Sequence, residues 1–313
     1  MRVHPSFLGT LALSASTLAS AELNVRTVYQ FASNDTWLEN LAVRSNGLIL
    51  ATEIGPPASL LSFDPRSSSP KKNVIHTFSS VLGLSGITEA AHDVFYVTGA
   101  NTTSDNISDP PKNATHIWRV DFTTNPDTPD IKLIARPTAP TGFNGLAAFN
   151  ETIILASASY HKTPSSPING LKVQDNFVYW TANGALYRAE LYSNVTAGPG
   201  ELIVQSTAFD DFAVAPDGLR AASGRKFAYA ATAAMNTIMQ ISFDLQGGRN
   251  LTSVIAGSLD STEVAEPTGC AFGRGEGEMD WLYVTTGGAS AVNVDVDGVE
   301  VAVGAQLLGI KLN

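Results

Sequence analysis

The sequence is poor in cysteine and in charged residues. Cys270 is the only cysteine among 313 residues, so no disulfide can form within the chain. Because free cysteine is among the most buried residue types, and because Cys270 lies in an apolar run, we expect a buried structural thiol. Only 15% of the residues are charged and 44% are hydrophobic, so a sizeable apolar core is available.

Basic residues are scarcer still. Nineteen Lys and Arg face 29 Asp and Glu, and the formal net charge is −10. The chain has no basic cluster, which argues against binding to nucleic acid or to anionic membranes. No run beyond residue 21 approaches the roughly 20 apolar residues of a membrane span. We therefore expect neither a nucleic-acid partner nor a membrane span, and we expect a monomer.

The N-terminus has the pattern of a secretory signal peptide. Arg2 precedes an apolar stretch from Phe7 to Leu18, and Ala19-Ser20-Ala21 is typical of a cleavage site. We divide the chain into a signal peptide at residues 1–21 and one domain at residues 22–313. A secreted or vesicular location is also favoured by seven N-x-[ST] sequons, which are potential glycosylation sites: Asn34, Asn101, Asn106, Asn113, Asn150, Asn194 and Asn250.

Short β-branched and aromatic runs recur along the chain, separated by Gly, Asn and Asp, and this pattern indicates strands and hairpins. A unit of up to four strands occurs six times, with inner hairpins such as the one from Leu41 to Thr52. Four-stranded units repeated around an axis are the blades of a β-propeller. The sequence therefore predicts an all-β, six-bladed β-propeller. The last repeat lacks a fourth strand, so the N-terminal strand from Val25 to Phe31 is expected to complete it.

The third repeat is shorter than the others. Its equivalent positions, Leu146 and Leu171, leave room for an inner hairpin but not for two outer strands. Two explanations remain open at this point: a trimmed propeller, or a translation from which one exon is missing.

Polar residues precede the innermost strands. Since these strands line the axial channel of a propeller, their starts are expected to gather at one mouth, forming a ring of six polar residues: Glu39, Ser85, Asn144, Asn169, Asp211 and Thr268. Trp37 is expected to line the same pocket, together with Glu39, Ser85 and Thr268. One interpretation is that such residues merely bond turn backbones. The other is an oxygen-rich site, whose ligands suit Ca²⁺ or a similar cation.

Several of these runs resemble the secreted fungal branch of the SMP-30/gluconolactonase-like propellers: Thr36 to Val43, Asp210 to Ala213, and Pro267 to Arg274. The resemblance implies a divalent metal held by Glu39, Asn169 and Asp211, with Asn144 facing the substrate. That branch includes hetero-Diels–Alderases of tropolone–sesquiterpenoid pathways. In such an enzyme Asn144, Asn169 and Asp211 would be the catalytic candidates.

Three functions remain open, and all of them involve a small hydrophobic molecule in the axial pocket. A hetero-Diels–Alderase would join a polyketide-derived enone or quinone methide to an alkene such as a sesquiterpene, and it needs no cofactor. A lactonase would need Ca²⁺ or another divalent cation. The third possibility, a non-catalytic binding propeller, would need neither a cofactor nor a cation. No serine-hydrolase motif or zinc-type histidine pair is present.

Overall fold

The computed structural model describes residues 22–107, 111–138, 142–158, 167–206, 208–219, 224–244, 250–290 and 293–312. The predicted signal peptide at residues 1–21 lies outside the described residues. Within the described ranges, three short 3₁₀ helices occupy connections, at Ser104–Asn106, Asp217–Leu219 and Ala233–Met235. No described helix is both long enough and apolar enough to cross a membrane.

Everything else that is regular in the described ranges is β-strand, as predicted. In chain order the strands are β1 (Val25–Gln30), β2 (Trp37–Val43), β3 (Ile49–Ile54), β4 (Ser59–Phe63), β5 (Asn73–Thr77), β6 (Gly83–Ala91), β7 (Val94–Ala100), β8 (His116–Asp121), β9 (Asp130–Ala135), β10 (Phe143–Asn150), β11 (Ile153–Ala158), β12 (Ile168–Gln174), β13 (Phe177–Ala182), β14 (Ala185–Glu190), β15 (Glu201–Gln205), β16 (Phe212–Val214), β17 (Lys226–Ala231), β18 (Thr237–Phe243), β19 (Leu251–Gly257), β20 (Pro267–Phe272), β21 (Trp281–Thr286), β22 (Val294–Val296), β23 (Val299–Val301) and β24 (Gln306–Lys311).

The strands pair with their chain neighbours into consecutive antiparallel arrays. Strands β2–β5, β6–β9, β12–β15 and β16–β19 each form a four-stranded array, and one bridge between Ile54 and Gly83 links the first two. Strands β22 and β23 form a small separate ribbon. The antiparallel hairpin connections are those expected of short strands separated by turn residues.

The last array closes the molecule into a ring. Strands β20, β21 and β24 come from the C-terminal part of the chain, and β1 completes the sheet with Val25 opposite Ile310. The predicted closure by the N-terminal strand is therefore confirmed. The innermost strands contact one another in cyclic order, with β20 against β2. The fold is a β-propeller around an axial channel, as predicted.

The third array is shorter than the others, as predicted. In residues 142–158 it consists of β10 and β11, which form a two-stranded sheet. The segment that follows, residues 159–166, lies outside the described residues.

The core lies between neighbouring arrays. Between the first two, for example, Leu60, Phe95 and Trp118 pack in one cluster of buried side chains. Arg44, which is 1% exposed, ties the same arrays together through a two-pronged contact with Asp93, with nitrogen–oxygen distances of 2.9 and 3.1 Å. Cys270 is free and 2% exposed, which confirms the prediction of a buried thiol.

The sequons lie at or near the surface. Asn34, Asn113, Asn150 and Asn194 are exposed, whereas Asn101, Asn106 and Asn250 are partly exposed. Glycosylation at these positions stays a prediction.

Candidate functional site

The inner strands share an irregularity at their first residues. In β2, β6, β10, β12 and β20 the pairing register shifts there, for instance between Leu38 and Leu41. A β-bulge of this kind re-aims side chains. The repeated bulge explains why a short polar-residue-plus-glycine pattern recurs in the sequence. We call this end of the channel, where the inner strands begin, the upper end.

A cavity of about 310 Å³ lies at the upper end. We call it the upper cavity; its polar lining consists of Trp37, Glu39, Asn144, Asn169, Asp210 and Glu266, and Phe209 adds an aromatic wall. The volume falls at the lower end of the range for small-molecule sites. The cavity therefore has the size of a small-molecule site.

Glu39 is buried in this cavity and is held in place on both sides. Trp37 Nε1 donates to Oε2 at 2.7 Å, and Asn144 Nδ2 donates to Oε1 at 3.0 Å. Burial raises the pKa of the Glu39 carboxyl from 4.5 to about 7; the two hydrogen bonds oppose the rise, and the negative charge of Asp211 adds to it. Near neutral pH this carboxyl is consequently divided between its acid and its anion.

Asp210 is the second acid of the cavity. Its main chain is anchored, because Asp210 N donates to Ala231 O at 2.9 Å and Thr181 Oγ1 donates to Asp210 O at 2.6 Å. Burial raises the pKa of its carboxyl well above the ordinary value, and the charges of Glu39 and Asp211 raise it further, while a hydrogen bond from Asn169 opposes the rise. Two desolvated carboxyls that repel one another do not both ionise near neutral pH. Burial and mutual repulsion therefore favour the neutral acid form of at least one of the two carboxyls.

Two amide oxygens in the cavity accept no hydrogen bond from the described residues. They are Oδ1 of Asn144, a side chain only 4% exposed, and Oδ1 of Asn169. Unpaired buried polar atoms are costly, so such atoms call for a partner. Both amides use part of their donor capacity on the carboxyls of Glu39 and Asp210. Their oxygens are left for a ligand hydroxyl, a cation or a water.

Four of the predicted pocket residues lie on the upper cavity: Trp37, Glu39, Asn144 and Asn169. Ser85 and Thr268 do not. Ser85 Oγ donates to Phe143 O at 2.7 Å, and Thr268 Oγ1 donates to Leu38 O at 2.7 Å. These two hydroxyls tie neighbouring arrays together through backbone carbonyls.

Asp211 lies outside the upper cavity, contrary to the prediction that it belongs to one ring with Glu39 at the channel mouth. Lys172 Nζ contacts its two carboxylate oxygens at 2.8 and 2.6 Å, and Asn40 Nδ2 donates to Oδ2 at 2.6 Å. Phe212 N donates to Oδ1 at 2.7 Å. We call Asn40, Asp211 and Lys172 the septum.

The reason is a shift of one residue in the fifth repeat. Asp210-Asp211-Phe212 matches Asn169-Gly170-Leu171, so Asp211 takes the place of a glycine and Asp210 takes the place of the cavity residue. The close approach of the two positions supports this equivalence, because a Cβ added to Gly170 would clash with Oδ1 of Asp211 on the neighbouring inner strand. The sequence therefore contained a pattern that marks Asp210 as a cavity residue. No comparable pattern marked Glu266, which directly precedes the strand β20.

The shift also changes the expected metal ligands. Asp211 does not fit the predicted set of Glu39, Asn169 and Asp211, since the ammonium group of Lys172 is bound to both of its oxygens. No three His, Cys, Asp or Glu side chains of the described ranges are grouped to hold a metal ion. Glu39, Asp210 and the two unpartnered amide oxygens do line one cavity, and all of them offer oxygen donors. Such hard donors suit Ca²⁺ or a similar cation.

Comparison with known proteins gives two similar sequences. A protein of Phoma sp named "Putative hetero-Diels-Alderase" is 24% identical, with 90% of this chain and 92% of that protein covered. The "Putative hetero-Diels-Alderase asR5" of Sarocladium schorii is also 24% identical, with 80% of this chain and 75% of that protein covered. These relatives confirm the resemblance stated from the sequence. No family model matches the chain.

Among solved structures, a luciferin-regenerating enzyme superposes with a TM-score of 0.62 at 13% identity, with 93% of this chain and 97% of that chain covered. At this identity the likeness concerns the fold alone, and it agrees with the β-propeller described above.

Proposed function

We propose that this protein is a hetero-Diels–Alderase that joins a polyketide-derived enone or quinone methide to an alkene, such as a sesquiterpene, in the upper cavity. The observation that carries the proposal is the pair of buried carboxyls, Glu39 and Asp210, beside the aromatic side chains of Trp37 and Phe209, where burial raises the pKa of Asp210 well above its ordinary value. The names of the two relatives support the same reaction class.

The reaction needs activation of a carbonyl oxygen and alignment of two partners. In the cycloaddition, a C=C–C=O heterodiene and an alkene form one C–C bond and one C–O bond, three π bonds become one, and no group leaves. A carboxylic acid that donates its O–H to the carbonyl oxygen draws electron density from the heterodiene and makes it more reactive. The acid keeps its proton throughout. A preorganised donor in a dry site contributes more than the same group in water.

Alignment is the other contribution. Holding two reactants in a reactive geometry lowers the barrier of a bimolecular step by about 7–11 kcal/mol. In the upper cavity the side chains of Trp37 and Phe209 offer flat apolar surfaces for this purpose. Asn144 and Asn169 then act as positioning residues, since they hold the carboxyls of Glu39 and Asp210 by hydrogen bonds.

The direct test replaces the acid. Asp210→Asn keeps a donor of similar shape but removes the acidic proton, and Asp210→Ala removes the donor altogether. Loss of one preorganised donor costs about 100- to 1,000-fold in rate. We expect a loss of that size for Asp210→Ala and a smaller one for Asp210→Asn, measured as stereoselective product from a quinone methide released in situ. Asp130→Asn, at an exposed position on β9, is the matched control.

Two outcomes would contradict the proposal. Wild-type protein that yields racemic product at the rate of the protein-free reaction would rule out this activity. Asp210→Ala protein with the wild-type rate would rule out the role of the acid.

One observation favours a second candidate, a metal-dependent lactonase: the two unpartnered amide oxygens, Asn144 Oδ1 and Asn169 Oδ1. With Glu39 and Asp210 they would hold a hard cation, and such an ion, when bound, polarises a lactone carbonyl as a Lewis acid. Elemental analysis of the purified protein, with lactone hydrolysis measured before and after chelation, separates the candidates. Stoichiometric metal and chelator-sensitive hydrolysis would favour the lactonase. Metal-free protein that controls the stereochemistry of a cycloaddition would exclude it.

A further inference from the structure

The channel holds a second cavity below the septum. It measures about 400 Å³ and is lined by the lower halves of the inner strands, among them Ala148, Lys172, Val173, Val214, Phe272 and Arg274. We call it the lower cavity. It shares no lining residue with the upper cavity. Two ligands could therefore occupy the channel at once without touching.

The septum separates the two cavities because two repeats carry side chains where others have glycine. Asn40 and Asp211 each directly follow an upper-cavity residue, and they meet across the channel at 2.6 Å. Gly86, Gly145, Gly170 and Gly269 occupy the matching position in the other repeats. These glycines leave the room that the two larger side chains fill.

The charges that face the lower cavity are paired. Lys172 is bound to Asp211, and Arg274 is bound to Glu89. The four groups together carry no net charge. The remaining lining includes the polar side chains of Thr88 and Gln174, and the rest of it is chiefly aliphatic. A ligand with a full charge would gain little here and would lose its hydration. The cavity thus favours an uncharged, largely apolar molecule.

Lys172 supplies hydrogen-bond donors at the end of the lower cavity that adjoins the septum. Its ammonium group has three N–H donors, and its two hydrogen bonds to described residues both go to Asp211, while the ring centre of Phe212 lies 5.7 Å from Nζ. The side chain is 25% exposed and lines the lower cavity. One donor is thus left for an acceptor in the lower cavity.

We propose that the lower cavity is a second small-molecule site, which binds an uncharged, mostly apolar ligand whose single carbonyl oxygen accepts a hydrogen bond from Lys172. The volume lies within the range of small-molecule sites. This site does not depend on the reaction proposed for the upper cavity.

The probe for this site is 6-propionyl-2-(dimethylamino)naphthalene, an uncharged ketone whose fluorescence shifts to the blue in apolar surroundings. We expect saturable binding with one molecule per chain. Ala148→Trp fills the lower cavity and should weaken binding at least about tenfold, as expected for loss of most of the apolar contact. Val173→Trp is the second filling variant, in case the first does not fold.

Two tryptophan controls locate the probe. Ala208→Trp narrows the upper cavity, and Leu202→Trp lies at a position that is 53% exposed on β15. Both should bind the probe within about twofold of wild type, since neither touches the lower cavity. Weakening by Ala208→Trp alone would place the probe in the upper cavity and overturn the proposal. So would the absence of binding, or equal binding by all variants.

The hydrogen bond has its own test. The double variant Lys172→Met with Asp211→Asn removes both charges of the septum together, so that no buried charge is left unpaired. Loss of one hydrogen bond should weaken the ketone probe about two- to tenfold. Binding of naphthalene, which has no acceptor oxygen, should be unchanged. Equal binding of the ketone by wild type and double variant would refute the role of Lys172.

Discussion

Replacing Lys172 by methionine tests whether the septum is a true buried ion pair. Methionine keeps most of the aliphatic stem but leaves the carboxylate of Asp211, which is 2% exposed, without its cation. Removing one partner of a buried pair costs about 3–5 kcal/mol. Since Asn40 Nδ2 and Phe212 N still donate to Asp211, we expect the low end of that range, about 3 kcal/mol.

The double variant with Asp211→Asn supplies the comparison. With both charges gone, no carboxylate is left unpaired, and we expect a loss of about 1 kcal/mol, the size of a net hydrogen bond. The loss for Lys172→Met should thus greatly exceed the loss in the double variant, and the single variant Asp211→Asn completes the cycle that measures the coupling of the pair. The measurement is the free energy of unfolding from urea titrations followed by tryptophan fluorescence. A Lys172→Met protein within about 0.5 kcal/mol of wild type would refute the reasoning, since that is the usual effect of a surface change.

Further predictions concern pH, packing, ion pairs and glycans. Because burial raises the pKa of Glu39 from 4.5 to about 7, its contribution to stability is complete below pH 4.5 and is lost as the pH rises to about 7; Glu39→Gln should remove this loss in unfolding titrations across that window. Arg44→Met should lower the free energy of unfolding by about 3 kcal/mol, whereas Arg66→Met, at a pair where both partners are over 40% exposed, should cost less than about 1 kcal/mol. Gly170→Ala should destabilise by about 1–3 kcal/mol because its Cβ would meet Asp211, and Gly218→Ala, with open space around it, should be close to neutral. Glycosidase treatment of the protein, expressed with its N-terminal segment in a eukaryotic host, should lower its apparent mass, and an unchanged mass would count against the predicted secretory route.

The strands and their order were predictable because two signals coincide in each repeat. Turn residues such as Asn46-Gly47 mark where a hairpin reverses, and β-branched runs such as Ile153 to Leu155 mark its strands. Ring closure followed from a missing strand at one terminus and a spare strand at the other. The short third array was visible as a short spacing. All three signals can be read from the order of residues in a single chain.

The site was less accessible to sequence reasoning, since it depends on which way a side chain is aimed. Ser85 and Thr268 occupy ring positions, yet their hydroxyls bond backbone carbonyls of neighbouring arrays. The same β-bulge begins the strands of Ser85 and Thr268 and those of Asn144 and Asn169. The bulge therefore does not decide whether a side chain faces the channel or a neighbouring backbone, and the residue pattern does not record that choice either. Lys172 was missed for a similar reason, as it lies inside a strand that otherwise looks like core.

The fifth repeat shows how two adjacent acids come to serve different parts of the channel. Successive side chains of an extended chain point in opposite directions, so Asp210 and Asp211 cannot both face the upper cavity. Asp210 joins Glu39 there, where burial raises the pKa of both carboxyls. Asp211 points away and contacts Lys172 and Asn40.

The negative charge of Asp211 nevertheless raises the pKa of both upper carboxyls, Glu39 and Asp210. The pair below therefore helps to keep an acid protonated above, and Asp211→Asn should lower the pKa of Glu39 even though it removes nothing from the upper cavity. Titration of the Glu39 carboxyl by NMR, in wild type and in Asp211→Asn, measures that shift, and an unchanged pKa would show that the septum is electrically isolated from the site.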